Sequence, residues 1–275
     1  MRFTLSDFRH AKSSGKKLAM LTCYDFTTAK LMHEAAIPLI LVGDSAASVI
    51  LGHDSTIPAS LEFMIELTSA VRRGAPDCWL VADMPFGSYH ASVPAAMNAS
   101  VKMMQRTSCD AIKLEVTGSS YDLRLIRRAS ESGIPIVAHL GLRPQSVRMT
   151  GKYRAQGRTT IEAKTIVDAA VRCANAGAVA ILLEAVPNEI ASSLRKVVDV
   201  PLVGCGAGPD CDAHVVVLQD LLGLSGHRPR FVPELADLRP GYIAAFQAFK
   251  QEIAGGGYPS AIHCYQAVKT ATASN

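Results

Sequence analysis

The amino-acid sequence predicts an α/β fold, a (βα)8 TIM barrel in which eight parallel strands alternate with helices. Short runs of branched apolar residues, typical of strands buried on both faces, alternate with helical segments along the chain. Five of these runs end in an ionisable residue, and barrel enzymes keep their chemistry at the C-terminal ends of their strands. The length of 275 residues fits one such barrel. The number of βα units favours a closed barrel over an open doubly wound sheet.

The first half of the chain predicts a short leading helix followed by four strands. Thr4 or Ser6 caps the leading helix, which ends near Gly15. The first four strands are expected in the segments LAMLTC, PLILVG, CWLVADMPF and DAIKLEV. Helices are expected from about Asp25 to Glu34, from near Ser60, and over AAMNASVKMMQR.

The second half continues this alternation. A fifth strand is expected at IPIVAHLGL, a helix with a glycine stop at IEAKTIVDAAVRCANAG, and further strands at AVAILLEAV and PLVGCG. The eighth strand is expected near LLGLSG. We expect residues 1–265 to form one barrel domain. The tail over residues 266–275 is expected to be disordered, because it has no periodic pattern.

The composition limits the classes of function. A hydrophobic fraction of 49% favours a sheet buried on both faces together with subunit contacts, so we expect a homo-oligomer. The net charge of +4 is spread along the chain, which argues against a nucleic-acid partner. Seven cysteines without CxxC spacing indicate buried thiols in a reducing compartment. No segment resembles a signal peptide or a membrane span, so we expect a cytoplasmic protein without a membrane partner.

Asp44, Asp83 and Glu115 stand at or just beyond the ends of predicted strands. Each one alone is explained by capping of the next helix or by pairing with a base. Three carboxylates at one barrel mouth would repel each other, however, unless a cation lies among them. Because no cysteine or histidine cluster accompanies these oxygen ligands, they favour a hard ion such as Mg²⁺.

Three further residues at strand ends are candidates for the same site. Lys113 lies two residues before Glu115 in a strand, so both side chains point into the barrel interior. They form either a structural ion pair or, beside a metal, a site where Lys113 binds a substrate carboxylate. His139 is either a structural core residue or part of this site. Glu184 ends the most apolar strand, where desolvation makes it a general base unless a salt bridge holds it.

Two other features lie near the predicted mouth. The turn Gly206–Gly208 after strand seven suggests a phosphate cradle or a tight turn with close backbone approach, and we favour the tight turn. The segment Arg143–Arg158 contains five basic residues and no acid. It is either a solvated face or a surface that attracts a polyanionic substrate or cofactor tail.

Nine short motifs follow one another in register along the chain. They are VGDS (Val42–Ser45), GHDST (Gly52–Thr56), VRRGAP (Val71–Pro76), DMPF (Asp83–Phe86), KLE (Lys113–Glu115), HLGL-x-PQS (His139–Ser146), QGR (Gln156–Arg158), LLEAVP (Leu182–Pro187) and GAG (Gly206–Gly208). With this combination the sequence resembles the ketopantoate hydroxymethyltransferases from about Gly15 to His263.

The resemblance implies a barrel of the phosphoenolpyruvate/pyruvate-type superfamily, assembled in the cytoplasm as a decamer of five dimers. It implies Mg²⁺-dependent transfer of a hydroxymethyl group from 5,10-methylenetetrahydrofolate to 3-methyl-2-oxobutanoate, which gives 2-dehydropantoate on the route to pantothenate. The site residues that it implies are Asp44, Asp83 and Glu115 for the metal, Asp44, Ser45, Asp83, Lys113 and His139 for the substrate, and Glu184 as the catalytic proton acceptor.

Three stretches depart from the family's usual pattern. They are Ala46–Ser48 after the Asp-Ser pair, Ala138 before the strand-five histidine, and Asp212–His214 beyond strand seven. The metal and base positions are kept, whereas we expect Ala46–Ser48 and Asp212–His214 to lie in loops that admit folate. Two alternatives therefore stay open. One is a Mg²⁺-dependent keto-acid aldolase or lyase with another electrophile, and the other is a non-catalytic partner in an oligomer.

Overall fold

Eight parallel strands pair in sequence order and close into a barrel in the computed structural model, which describes residues 2–267. The strands are β1 Leu18–Thr22, β2 Leu39–Val42, β3 Trp79–Asp83, β4 Ala111–Glu115, β5 Ile136–Gly141, β6 Ala180–Glu184, β7 Leu202–Cys205 and β8 Ala213–Val216. The pairing of β8 with β1 closes the ring. This confirms the predicted (βα)8 barrel. Most of the predicted tail lies outside the described residues.

Helices surround the barrel and precede its first strand. Within residues 2–267 they are α1 Leu5–Ser14, α2 Phe26–Glu34, α3 Ala46–Val49, α4 Leu61–Gly74, α5 Val93–Thr107, α6 Ser120–Glu131, α7 Val147–Thr150, α8 Thr160–Asn175, α9 Asn188–Arg195, α10 Leu218–Leu221 and α11 Arg239–Ala254. Thr4 caps the predicted leading helix through a capping box with Asp7, and Gly15 ends it. None of the helices in this range is long and apolar enough to cross a membrane.

The alternation of side chains along the strands produces two apolar layers. The inner layer fills the barrel with residues such as Met20, Leu41 and Val137. Helix α1 closes the N-terminal end of the barrel by packing Phe8 against Trp79, with ring centroids 5.5 Å apart. The outer layer packs the strands against the helices. The last inward positions of several strands, above the inner layer, are therefore available to polar side chains.

The predicted position of the eighth strand is wrong. The LLGLSG segment forms the end of α10 and a turn, whereas β8 occupies Ala213–Val216. Within the described chain no helix separates β7 from β8, because residues 206–212 lead directly from the end of one strand to the start of the other. The sequence of β8 lacks the continuous apolar run of a strand buried on both faces, because its outward-facing His214 is polar and exposed.

The outer wall of the barrel is open where β8 meets β1, a region that we call the β1–β8 seam. The paired residues Ala19 and His214 are exposed there, and the next outward pair, Leu21 and Val216, is only partly buried. By contrast, β2, β3 and β4 are buried along their whole length. Helix α11 does not cover this seam, since every residue of α11 is exposed.

Gly141, at the C-terminal end of β5, is the site of a close backbone approach. Its φ is +93°, and a Cβ atom there would lie 2.3 Å from the carbonyl oxygen of Glu184. Gly133 has a φ of +76° but open space around it. We expect Gly141→Ala to lower the free energy of unfolding by about 4 kcal/mol and Gly133→Ala by about 1 kcal/mol. Urea denaturation measures both losses, and equal values would contradict the close approach.

Candidate active site

Six ionisable side chains meet at the C-terminal end of the barrel, and we call them the mouth cluster. They are Asp44, Asp83, Lys113, Glu115, His139 and Glu184. Asp44 lies two residues beyond the end of β2, and the other five lie on β3 to β6. Strand register places Asp83 beside Lys113 and Glu115 beside His139. The structure therefore brings the predicted ionisable site residues together, and Ser45 adjoins them in sequence.

Asp83 and Lys113 form the central ion pair of the mouth cluster. Lys113 Nζ lies 2.8 Å from Asp83 Oδ1, and Asp83 Oδ2 accepts a 3.0 Å hydrogen bond from Asp44 N. Burial raises the pKa of Asp83 to about 7, although the Lys113 ammonium opposes the rise. Burial lowers the pKa of Lys113, but the surrounding carboxylates more than offset this, so its net shift is upward. Lys113 is therefore a charged ammonium in the barrel interior.

His139 connects this ammonium to Glu184. Its Nδ1 lies 3.1 Å from Lys113 Nζ, and its Nε2 lies 3.3 Å from Glu184 Oε2. Burial, followed by the charge of Lys113, lowers the pKa of His139 well below its ordinary value, so the imidazole is neutral. Because an ammonium only donates, Nδ1 accepts and the ring proton is on Nε2. The contact of Nε2 with Glu184 is not aligned as a hydrogen bond.

Glu184 opens on a cavity of about 440 Å³, whose wall also includes Ser45, Tyr153 and Phe231. The Glu184 side chain is 20% exposed, more than any other member of the mouth cluster. Burial nevertheless raises the pKa of its carboxyl to about 7, against the opposing charge of Lys113. A carboxylate with a pKa near neutrality at the edge of a cavity has the properties of a general base.

Glu115 faces Gln145, a site residue that the sequence analysis missed. The backbone N–H of Gln145 lies 3.2 Å from both carboxylate oxygens of Glu115, and its side-chain Nε2 donates to Asp44 Oδ2 at 2.8 Å. Burial raises the pKa of Glu115 to about 8, although Lys113 opposes the rise. The available signal was the position of Gln145 within the HLGL-x-PQS motif.

Two buried tyrosines at the mouth were also missed. Tyr24 Oη lies 2.8 Å from Ser45 Oγ, and Tyr89 Oη donates to Gln145 Oε1 at 2.9 Å. Tyr24 follows the first strand segment directly, which was a usable signal. Tyr89 lies in a turn after β3 without any pattern that points to it.

The basic segment Arg143–Arg158 borders the site on two sides. Arg143 and Arg148 line a second cavity of about 350 Å³, which also touches Glu115. Arg154 lines the cavity of about 440 Å³ beside Glu184. Three of the basic residues therefore border the candidate site.

The mouth cluster provides part of a ligand set for a divalent cation. Asp83 Oδ1 is buried and lies 2.8 Å from its ion-pair partner Lys113 Nζ. Among residues 2–267, no three His, Cys, Asp or Glu side chains form a complete ligand group. Mg²⁺ usually takes one or two carboxylates and completes its octahedron with water and substrate oxygens. Asp44 and Asp83 fit that requirement.

The turn Gly206–Gly208 after β7 allows the backbone to pack closely against neighbouring side chains. A Cβ atom at Gly206 would lie 2.7 Å from the ring of Phe231, and one at Gly208 would lie 2.3 Å from Asn188 Oδ1. Both glycines therefore permit the close approach that we favoured over a phosphate cradle. Burial raises the pKa of the Cys205 thiol well above its ordinary value, which makes it a poor nucleophile.

The stretches that depart from the family's usual pattern lie in three different places. Asp212 is at the N-terminal end of the barrel, where its Oδ2 accepts from Leu202 N at 2.9 Å and lies 3.4 Å from Lys12 Nζ. Ala138 belongs to the outer apolar layer. The expectation that Asp212–His214 lies in a loop admitting folate is therefore wrong. Only Ala46–Ser48 borders the mouth, where Ser48 lines the cavity of about 440 Å³.

The raised pKa of Glu184 affects stability as well as chemistry. Its ordinary pKa is 4.5 and its folded pKa is about 7, so the folded state holds more protons between these values. The free energy of unfolding therefore falls as the pH rises from about 4.5 to about 7. We expect Glu184→Gln to be more stable than the wild type by about 2 kcal/mol at pH 8 and equally stable at pH 4. Urea denaturation tests this, and lower stability of the variant at pH 8 would contradict it.

Solved structures of other enzymes share this barrel at low sequence identity. A phosphonopyruvate hydrolase in complex with oxalate and Mg²⁺ gives a TM-score of 0.62 at 15% identity, covering 94% of this chain and 93% of that one. A 2,3-dimethylmalate lyase, described as a PEP mutase/isocitrate lyase superfamily member, gives 0.59 at 16% identity, covering 93% and 89%. These similarities agree with the predicted (βα)8 barrel fold.

Sequence comparison identifies the family. A family model described as ketopantoate hydroxymethyltransferase matches residues 2–261. The 3-methyl-2-oxobutanoate hydroxymethyltransferase of Frankia alni is 45% identical over 265 residues, covering 96% of this chain and 86% of that protein. The protein of the same name from Geobacillus kaustophilus is 40% identical over 261 residues, covering 94% and 93%. The chain belongs to the ketopantoate hydroxymethyltransferase family.

Proposed function

We propose that the protein transfers a hydroxymethyl group from 5,10-methylenetetrahydrofolate to 3-methyl-2-oxobutanoate, in the cytoplasmic synthesis of pantothenate. Membership of the family supports the reaction type. The observation that carries the proposal is the position of Glu184, a carboxyl with a pKa of about 7 at the wall of a cavity of about 440 Å³. The reaction requires a base that removes a proton from the carbon beside a ketone, and Glu184 is suited to that step.

The keto acid is held by its carboxylate and its keto oxygen. Lys113 supplies a fixed positive charge at the base of the mouth, and Ser45 supplies a hydroxyl whose position is set by Tyr24, 2.8 Å away. His139 presents its Nε2–H on the side of Glu184. These three groups orient the substrate so that its C3 atom faces Glu184.

Asp44 and Asp83 are the proposed ligands of a Mg²⁺ ion, and Glu115 is a third acidic group close enough to interact with both electrostatically. The excess of acidic groups supports this assignment, because one ammonium, that of Lys113, interacts with the carboxyl groups of Asp44, Asp83 and Glu115. When bound, the ion supplies Lewis-acid polarisation of the keto oxygen. Asp44 N holds Asp83 Oδ2 at 3.0 Å, so the orientation of the Asp83 carboxylate is fixed.

Glu184 takes the C3 proton, and the electron pair of that C–H bond forms the new carbon–carbon bond to the folate methylene. The bonds from this carbon to the two folate nitrogens break in turn, the first as the carbon–carbon bond forms and the second as water provides the hydroxyl oxygen. The two nitrogens take up the proton held by Glu184 and the remaining proton of that water, and tetrahydrofolate leaves. The neutral His139 places a dipole rather than a full positive charge beside Glu184. The carboxylate therefore keeps enough basicity to remove a carbon-bound proton.

We also propose that the protein is a homo-oligomer of the family's decameric type, in which α11 of one copy covers the β1–β8 seam of another. Tyr242, Phe246, Phe249 and Ile253 form an apolar stripe at helical spacing, with exposed fractions from 48% to 67%. Exposed aromatic stripes are typical of interface cores. Each copy has one uncovered seam and one fully exposed helix, so a reciprocal exchange covers both.

The role of Glu184 predicts a loss of proton exchange on substitution. We expect wild-type protein with Mg²⁺ and 3-methyl-2-oxobutanoate in D₂O to exchange the C3 proton, as followed by NMR. Glu184→Gln should abolish this exchange, because an amide accepts no proton from carbon. Glu189→Gln, which replaces an exposed carboxylate on α9, is the control that should exchange normally. Exchange at the wild-type rate in Glu184→Gln would remove Glu184 from this role.

The same assay separates the alternatives. No exchange above background by the folded wild type would exclude both enzyme hypotheses. Exchange without product on addition of 5,10-methylenetetrahydrofolate would favour a keto-acid aldolase or lyase with another electrophile. The exchange rate should rise with pH and level off above about 7, because only the deprotonated Glu184 acts as a base.

The exchange of α11 predicts that a charge in its apolar stripe disrupts the oligomer. We expect Phe246→Asp to reduce the mass measured by light scattering after gel filtration, because the charge would be desolvated in the interface. Gln251→Asp introduces the same charge on the opposite face of the helix and should leave the mass unchanged. Equal masses for the wild type and both variants would contradict the exchange.

A further inference from the structure

Gln145 uses its side-chain amide entirely within the mouth cluster and its surroundings. Nε2 donates to Asp44 Oδ2 at 2.8 Å and to the carbonyl oxygen of Met84 at 3.0 Å, while Oε1 accepts from Tyr89 Oη at 2.9 Å. The residue is 4% exposed. These partners allow one orientation of the amide, because reversing it would direct Oε1 at a carboxylate and a carbonyl oxygen.

Tyr89 fixes this orientation. Its hydroxyl accepts from Glu115 N at 3.2 Å and donates to Gln145 Oε1, with a longer contact of 3.4 Å to Glu115 O. Burial raises the pKa of the phenol, so the hydroxyl keeps the proton that it donates. A chain of hydrogen bonds therefore runs from Glu115 N through Tyr89 and Gln145 to the carboxylate of Asp44.

The uncharged amide of Gln145 affects the carboxyl groups of Asp44 and Glu115 differently from a lysine or arginine side chain at the same position. Gln145 offers its backbone N–H to Glu115 and its side-chain N–H to Asp44, so it orients both carboxylates. It carries no charge and leaves their negative charge available to a cation. A lysine or arginine at this position would neutralise that charge and compete with the cation.

We propose that Gln145 is a positioning residue for the divalent cation, which it serves by holding Asp44 in the orientation that ligation requires. The inference rests on the proposed function in one respect, the assignment of Asp44 and Asp83 as metal ligands. Tyr89 acts through Gln145 and belongs to the same hydrogen-bond network. Hydrogen-bond partners of ligand side chains commonly affect metal affinity in this way.

Binding of Mn²⁺ to the metal-free protein, followed by electron paramagnetic resonance, tests the inference. We expect Gln145→Leu to weaken Mn²⁺ binding about tenfold and Tyr89→Phe about threefold. Because both act through one amide, the double variant should bind no more weakly than Gln145→Leu alone. Gln156→Leu is the matched control, since the amide of Gln156 binds the Arg154 carbonyl oxygen at 3.0 Å and lies outside this network. It should bind Mn²⁺ as the wild type does.

A second readout separates positioning from a structural role. The Mg²⁺ concentration for half-maximal C3 exchange should rise about tenfold in Gln145→Leu, while the rate at saturating Mg²⁺ should fall less than about threefold. A variant that unfolds cooperatively and binds Mn²⁺ within about twofold of the wild type overturns the inference. The inference is also overturned if the double variant loses Mn²⁺ affinity by the product of the two single-variant losses. If Gln145→Leu does not fold, the result for Tyr89→Phe decides.

The outcome for the wild type distinguishes this inference from the proposed function. Wild-type protein that does not bind Mn²⁺ overturns the metal assignment and the role of Gln145 with it. Wild-type protein that binds Mn²⁺ but exchanges no C3 proton overturns the proposed function, and the Mn²⁺ affinities of the variants still decide the role of Gln145.

Discussion

The ion pair of Asp83 and Lys113 is the interaction on which the rest of the site depends. A closed barrel directs every second side chain of its strands inward, and the register of β3 and β4 places these two groups side by side. One ammonium faces three carboxylates, those of Asp44, Asp83 and Glu115. The interior therefore holds more negative than positive charge, which is the physical reason that a divalent cation suits it.

The same ammonium determines the state of the groups around the proton acceptor. Lys113 can only donate to His139 Nδ1, so the imidazole stays neutral and carries its proton on Nε2. Glu184 consequently faces an N–H dipole instead of an imidazolium. An imidazolium at 3.3 Å would hold the pKa of Glu184 lower and make it a weaker base. The roles proposed for Lys113 in substrate binding and for Glu184 in proton removal are thus linked through one histidine.

The parts of the site that depend on strand periodicity were predictable from the sequence. Lys113 and Glu115 share a face because they are two residues apart in a strand, and this holds whatever the rest of the chain does. The network around Gln145 was not predictable, since Asp44 is 101 residues away and Tyr89 is 56 residues away. The wrong prediction for the position of the eighth strand has a different cause, which lies in the pattern used for strands. The pattern assumes two buried faces, and β8 has one face that residues 2–267 leave partly exposed.

The positions that depart from the family's usual pattern bear on which one-carbon donor the site would accept and not on the proposed removal of a proton from the keto acid. The Ala138 side chain belongs to the outer layer and Asp212 lies at the N-terminal end of the barrel, so neither side chain is part of the mouth cluster. Ala46 and Ala47 are buried behind Asp44, while Ser48 lines the cavity that Glu184 borders. A change in the one-carbon donor would therefore act through the cavity wall at Ser48, and proton removal from the keto acid would be unaffected.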